Sequence, residues 1–467
     1  MSAATAGRPD LPVLSRRLGH GRAAAPVRHV HLGLGNFFRA HQAVYTEHAP
    51  DADAWGIAAF TGRSRDLAEQ MAAQDGLYTL LTQGPDGDRY DVVGSVSEAL
   101  AGTDHDSWLA RLGSADTGVL SLTVTEAAYC RRDGGGLDHE DPRVTSDVES
   151  LRREHGPPPV TVPGRVVAGL ERRRRTGAGP LTVVPCDNLA GNGPAVARVV
   201  TDLAERVDAR LAAWVSESVS FATTVVDRIT PRATEAAAGS VQEHLGVRDL
   251  CPVVTEPFTE WVLSGAFPAG RPRWDRAGAL FVDDVTAFEQ RKLWLLNGGH
   301  SLLAYAGSIR GHTTVFEAVT DDTCRDWLEQ WWDEASAHLL LPADEVAAYR
   351  DALVERFANP AIRHPLAQIA ADGSQKLPVR VLPILSLERA QGRVPLGAIR
   401  TLAAWVLHLR GMGAPVTDAQ REDLVACADG TMQDAVRRAI GFLDPVLCSD
   451  EVVTAAVLAQ AEELARS

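Results

Sequence analysis

The chain has 467 residues and a formal net charge of −15, a length beyond one compact core and suited to two or three domains. That acidic balance argues against nucleic acid or an anionic membrane as a partner, so an anionic ligand would need a local positive site. Hydrophobic residues at 45% and charged residues at 23% exclude wholesale disorder.

Six cysteines stand singly, at 130, 186, 251, 324, 427 and 448. No C-x-x-C pair or close Cys/His spacing closes a zinc site, so reduced thiols, a cytoplasmic location and no metal are expected. No apolar run approaches the ~18–20 residues of a membrane span. Residues 1–26 mix Ala, Arg, Gly and Pro without periodicity, which predicts a loose lead-in and not a secretory signal.

V-R-H-V-H-L then runs straight into Gly33-Leu34-Gly35-Asn36-Phe37-Phe38-Arg39 and a helical stretch. Strand, glycine turn and helix are the context of a dinucleotide site. Gly33 permits the tight turn, and Gly35 lets backbone approach a pyrophosphate resting on helix-terminal amides. The third glycine is replaced by Phe38, and two glycines alone also occur in plain strand–helix turns. A second strand is predicted at 55–60. It is followed by Thr61-Gly62-Arg63-Ser64-Arg65-Asp66 and not immediately by an acid for the ribose hydroxyls. Arg63, Ser64 and Arg65 could receive a 2′-phosphate or lie solvated in a loop, which leaves NADP open beside NAD.

Runs at 77–82 and 90–96 around G-P-D-G-D predict a hairpin. Residues 118–124 predict a buried parallel strand ending at Thr125-Glu126, where ligand crevices form. Arg172 to Arg175 suit a solvated helix C-terminus. The strand at 181–185 delivers Cys186-Asp187-Asn188. Asn188 is placed either as a donor toward a developing oxyanion or as a turn and cap residue. A further strand of this kind is expected at 221–226, ending in Asp227. Strands separated by helical stretches indicate an α/β fold with a largely parallel sheet.

From about residue 286 the chain turns Ala/Leu-rich and helical. The segment from Phe288 to Ser301, F-E-Q-R-K-L-W-L-L-N-G-G-H-S, carries Lys292, Asn297 and His300 inside an apolar run. Each is costly to bury unless paired or used. On an α-helix they project at about 0°, 140° and 80°, one half of the cylinder, with Glu289 near about 60°. A lysine desolvated there has a lowered pKa and can take a hydroxyl proton while hydride passes to a nicotinamide; Asn297 and Asn188 would hold the oxygen, and His300 would orient it. The bland alternative is a lysine that snorkels out and a histidine satisfied in the core. Trp327, Trp331 and Trp332 are expected as core or interface anchors. Asp372 to Arg380, D-G-S-Q-K-L-P-V-R, is expected to be a polar loop bearing two cations.

These stretches together resemble the polyol-specific long-chain dehydrogenases, the mannitol dehydrogenase and fructuronate reductase family. The matching motifs are G-L-G-N-F-F-R-A-H-Q-A at 33–43, A-Q-D-G-L-Y-T-L at 73–80, S-L-T-V-T-E at 121–126 and C-D-N-L-A-G-N-G at 186–193. They continue as V-D-R-I-T-P at 226–231, K-L-W-L-L-N-G-G-H-S at 292–301, R-F-A-N-P-A-I-R at 356–363 and D-G-S-Q-K-L-P-V-R at 372–380. The resemblance implies an α/β Rossmann-type NAD(P)-binding domain at 27–285 and a mainly α-helical substrate and catalytic domain at 286–467. It implies a metal-independent oxidoreductase interconverting a sugar alcohol or aldonate with its ketose or keto-acid, as a monomer or small homo-oligomer.

By position in the resemblance, Lys292 is the general base, Asn188 and Asn297 stabilise the oxyanion, and His300 orients the substrate. Gly33, Gly35, Asn36, Phe37, Arg39, Thr125 and Glu126 would hold the coenzyme. Asp227, Lys376 and Arg380 would meet the substrate, and Glu289 would pass the proton. The cationic D-G-S-Q-K-L-P-V-R lies closer to the fructuronate reductase branch, whose sugar-acid carboxylate needs a cationic partner. Mannitol 1-phosphate oxidation in the same family and a catalytically silent nucleotide-binding protein remain as alternatives.

Overall fold

Short apolar runs flanked by helical stretches become one parallel sheet in the computed structural model, which describes residues 11–62, 64–132, 134–153 and 155–466. Its strands are β1 (Val27–Leu32), β2 (Gly56–Phe60), β3 (Val96–Leu100), β4 (Val119–Leu122), β5 (Leu181–Pro185) and β6 (Val219–Phe221). They lie in the order β3-β2-β1-β4-β5-β6, every neighbouring pair parallel. Every residue of β2, β4 and β5 is buried, which explains why they are largely apolar with no in–out alternation. The chain winds outward from β1 in both directions, so a crevice opens where β1 and β4 lead their connections to opposite sides.

The edge strand β3, V-S-E-A-L, is absent from the sequence reading. Only its first residue is buried, so it shows no apolar run and little alternation. The predicted hairpin forms, with Tyr78–Gly84 antiparallel to Gly87–Val93. The strand expected at 221–226 divides instead. β6 ends at Phe221, and Thr223–Asp227 belongs to another sheet, antiparallel to Glu260–Ser264.

Two further expectations are corrected here. Part of the lead-in is tied down: Leu14 is fully buried, Val13 bridges to Arg248, and the Arg16 guanidinium donates to the carbonyls of Asp75, Gly94 and Val96. Helix Val162–Thr176 does not end in four solvated arginines. Arg173 is fully buried and donates to six carbonyls, those of Leu112, Ser114, Thr117, Ala178, Gly179 and Pro180. A guanidinium has five N–H groups in a rigid fork, so it suits a knot of orphan carbonyls at a helix end.

The first unit ends at Val285 and the second begins at Thr286. The second unit is built from helices packed around Leu396–Leu409, whose residues after Leu396 are all buried. Helices Asp322–Ser336 and Glu451–Leu464 pack on it. The segment read as one helix is interrupted. Thr286–Arg291 is α-helical, Lys292–Gly298 is a π-helix, Gly299–Leu302 returns to α, and Leu303–Gly307 is π again. Residues 372–380 are also corrected: Gly373–Arg380 is a helix, preceded by Asp372 in the left-handed region.

Candidate active site

In the first unit the glycine turn sits at the carboxyl end of β1. Gly33 has φ +114°, and a Cβ there would lie 2.0 Å from the Thr123 carbonyl oxygen, so no other residue fits. The amides of Gly33 and Leu34 both donate to Phe60 O, binding the turn to the end of β2. Gly35 differs. Its φ is ordinary, and a Cβ would meet only Gly33 O at 3.5 Å. The space above it is open, as a close-lying phosphate requires. Asn36 opens the short helix Asn36–Ala40, and Phe37 beside it is half-buried.

Arg39 lies on the short helix that follows the turn. It is buried and donates to Gly35 O, to Asn36 Oδ1 at 2.8 Å and to Cys251 O, while lying over the Tyr78 ring. Its guanidinium holds the cradle and is committed to protein partners. Below the turn, Ser121 Oγ is shared by His29 Nε2 at 2.6 Å and His31 Nδ1 at 2.8 Å, and His31 stacks on Phe38 at 3.6 Å. Burial drives the His29 pKa down to about 3 and His31 well below its ordinary value, so both rings are neutral packing groups.

Thr125 and Glu126 are exposed at the end of β4. Asn188 is exposed after β5. Around it, Asp187 accepts from Leu189 N, and Gly191 stands at the N-cap of helix Asn192–Val207. Asn192 is the buried asparagine, bonding Thr224 N and O and Pro185 O. Asp227 is buried at the end of its strand. After β2, Ser64 and Arg65 are exposed, and Arg63 lies outside the described residues.

The second unit gathers the other set. Lys292 and Asn297 are half-buried at the two ends of the first π-helical stretch, and His300 is buried just beyond. A π-helix takes more residues per turn, so the 100° projection does not describe this face. π-helical turns are costly and concentrate at functional sites. Here the cost is offset by tryptophan. Trp331 Nε1 donates to Trp294 O and Trp332 Nε1 to Leu295 O, each at 2.9 Å. Gly298 and Gly299 make this approach fit: a Cβ on Gly298 would stand 2.5 Å from the Trp331 ring, and one on Gly299 2.8 Å from Leu328. Trp331 and Trp332 are fully buried anchors, whereas Trp327 is half-buried with Arg310 and Arg400 over its ring.

Three elements converge on this stretch. Arg380 Nη1 reaches Asn297 O at 3.4 Å and Ser301 Oγ at 3.3 Å. Lys376 Nζ donates to Ile369 O at 3.3 Å and Ala371 O at 2.5 Å, closing the end of helix Leu366–Ala370. His300 stacks on Phe357 at 4.5 Å and meets the His364 ring edge-on at 5.5 Å. Burial first, then their mutual repulsion, lowers the pKa of Lys376; burial also lowers that of Arg380. Neither cation has an ion-pair partner among the described residues, although Asp372 and Asp418 lie near enough to oppose the shift on Lys376. Glu289 is half-buried on the α-helical turn before Lys292.

His364 was passed over in the sequence. It stands in A-I-R-H-P-L, where a lone histidine between Arg and Pro carries no periodic signal. Another group is brought together by folding alone: ligand atoms of His312, Asp321 and Cys324 lie within 4.8 Å of one another. Asp321 already pairs with Arg310 and caps helix Asp322–Ser336, so a cation there would face a resident guanidinium. No helix among the described residues is long and apolar enough to cross a membrane.

Comparison with known proteins covers both units. The mannitol dehydrogenase Rossmann domain matches residues 27–276, and the mannitol dehydrogenase C-terminal domain matches 284–444. D-mannonate oxidoreductase of Escherichia coli (strain K12) is 38% identical over 414 residues, 86% of this chain and 84% of that protein. The crystal structure of D-sorbitol dehydrogenase in substrate-free form superposes with a TM-score of 0.88 at 28% identity, over 97% of this chain and 98% of that one. Pseudomonas fluorescens mannitol 2-dehydrogenase, solved as a ternary complex with NAD and D-mannitol, gives 0.80 at 31% identity, over 98% and 95%.

Proposed function

The chain belongs to the mannitol dehydrogenase family, and we propose that it is an NAD-dependent oxidoreductase acting on the secondary alcohol of a sugar acid. The reaction is the reversible conversion of an aldonate to its keto-acid. The observation that carries the substrate class is the pair Lys376 and Arg380, two partly buried cations beside the Asn297–Ser301 stretch with no ion-pair partner among the described residues. Burying unpaired charge is costly, and a substrate carboxylate would supply the missing counter-ion. The similarity to a D-mannonate oxidoreductase points the same way.

In this reading Lys292 takes the hydroxyl proton as the alcohol is oxidised and returns it in the reverse direction. Asn297 and Asn188 donate hydrogen bonds to the oxygen as it gains negative charge, and His300 orients it. Asp227 meets the substrate, and Glu289 relays the proton away. The turn at Gly33 and Gly35, with Asn36 and Phe37, fits a pyrophosphate at the end of β1, and Thr125 and Glu126 line the crevice. When bound, NAD supplies the hydride acceptor. A second reading, a neutral polyol as substrate, is favoured by the likeness to the D-mannitol-bound relative.

The test is a panel of D-mannonate, D-altronate, D-mannitol and mannitol 1-phosphate, each with NAD and with NADP, followed by absorbance of the reduced coenzyme. Turnover of an aldonate with NAD supports the proposal. Activity confined to D-mannitol would sink the sugar-acid reading, and activity only after adding zinc would contradict a lysine base.

A further inference from the structure

His364 is half-buried beside His300, in an otherwise committed setting. Its backbone is fixed: the amide donates to Ile362 O, the carbonyl accepts from Val315 N, and Pro365 next to it bridges to Thr314. The ring is held edge-on against His300, which itself lies on Phe357. Its Nδ1 is buried without a hydrogen-bond partner. Its Nε2 has no protein partner among the described residues and is not enclosed. Burial, and then the nearby Lys376 charge, lowers the pKa of the ring, which keeps it neutral near pH 7. A neutral imidazole carries one N–H. On buried Nδ1 that proton would have no acceptor, whereas on Nε2 it can meet a ligand.

We propose that His364 is a specificity residue for the sugar-acid carboxylate, its Nε2–H and the third N–H of Lys376 donating to the carboxylate oxygens. The inference rests on the sugar-acid reading above and deepens it. A carboxylate accepts through two oxygens, so a neutral donor can complete the binding without adding a third cation to Lys376 and Arg380. The same contact offers much less to a terminal CH2OH group.

The experiment uses the full chain with NAD and compares the unmodified protein with His364→Leu and His364→Asn on D-mannonate and D-mannitol. Thermal unfolding and NADH fluorescence establish that each variant is folded and binds coenzyme. The expected result for His364→Leu is a KM for D-mannonate raised about tenfold or more, the worth of one hydrogen bond to a charged group, with kcat nearly unchanged. His364→Asn, which keeps an N–H near the same position, should recover most of that loss. A fall in kcat at unchanged KM would show that His364 acts only through His300 and would overturn the assignment, as would unchanged kinetics in both variants. If the unmodified protein oxidises D-mannitol but no aldonate, the substrate reading itself fails and the inference falls with it. That outcome is visible before any variant is made.

Discussion

Two irregular segments carry the candidate chemistry, and they are made irregular by different means. In the first unit, Gly33 is demanded by backbone: its φ is +114° and the Thr123 carbonyl occupies the place of a Cβ. In the second, Gly298 is demanded by a side chain, the Trp331 ring, while its own φ is ordinary at −66°. The turn is a strand end that presents amides. The π-helical stretch is a helix interior whose displaced carbonyls are met by two indole N–H groups. Backbone neighbours cannot step aside without dismantling a sheet, whereas a ring can repack at modest cost. The two sites should therefore fail differently when disturbed.

The largest effect expected is chemical. Lys292→Ala should lower turnover by about a thousandfold or more, roughly 4 kcal/mol in the barrier, while NADH binding and thermal stability stay near normal. Near-normal turnover would break the assignment of chemistry to the second unit. Gly33→Ala comes next, with a loss of about 3 kcal/mol or more from strain and backbone clash. It should appear as a lower Tm and loss of coenzyme binding, whereas Gly35→Ala should leave Tm almost unchanged. Equal behaviour of the two glycines would contradict the difference drawn between them.

Trp331→Phe keeps the ring over Gly298 and removes the donor to Trp294 O. It should cost about 1–2 kcal/mol, lower kcat, and leave NADH fluorescence titration unaltered. The smallest effect is a pH dependence confined to the second unit. Glu334 accepts from the amides of Gly397 and Ala398, and burial raises its pKa to about 7 from an ordinary 4.5. The folded state then holds a proton that the unfolded state has released, so stability falls as pH rises from about 4.5 to 7. Melting curves across that range should flatten in Glu334→Gln by an amount equivalent to about 1–2 kcal/mol. An identical slope in both proteins would remove Glu334 as its source.

Much of this was legible in the linear chain because the relevant physics is local. A parallel sheet buried on both faces writes itself as short, largely apolar runs, and β2, β4 and β5 are such runs. A glycine turn between strand and helix is local too, and so is the conflict of Lys292, Asn297 and His300 with an apolar helix. The edge strand β3 escaped because an edge is only half covered. Arg173 was misjudged because its six acceptors come from separate loops. The D-G-S-Q-K-L-P-V-R stretch looked like a loop because its composition is polar, yet Asp418, distant in sequence, caps it at Ser374 and it folds as a helix.

The sequence by itself determined the family and the fold class, since these depend on which side chains recur and at what spacing. Only the tertiary structure decided that Lys292, Asn297 and His300 ride a π-distorted helix, because that distortion depends on indoles arriving from residues 331 and 332. It also tied Arg39 to Gly35, Asn36 and Cys251, left Lys376 and Arg380 without ion-pair partners among the described residues, and set His364 against His300. Those outcomes turn on which distant group fills a given space, and adjacency in sequence carries no trace of it.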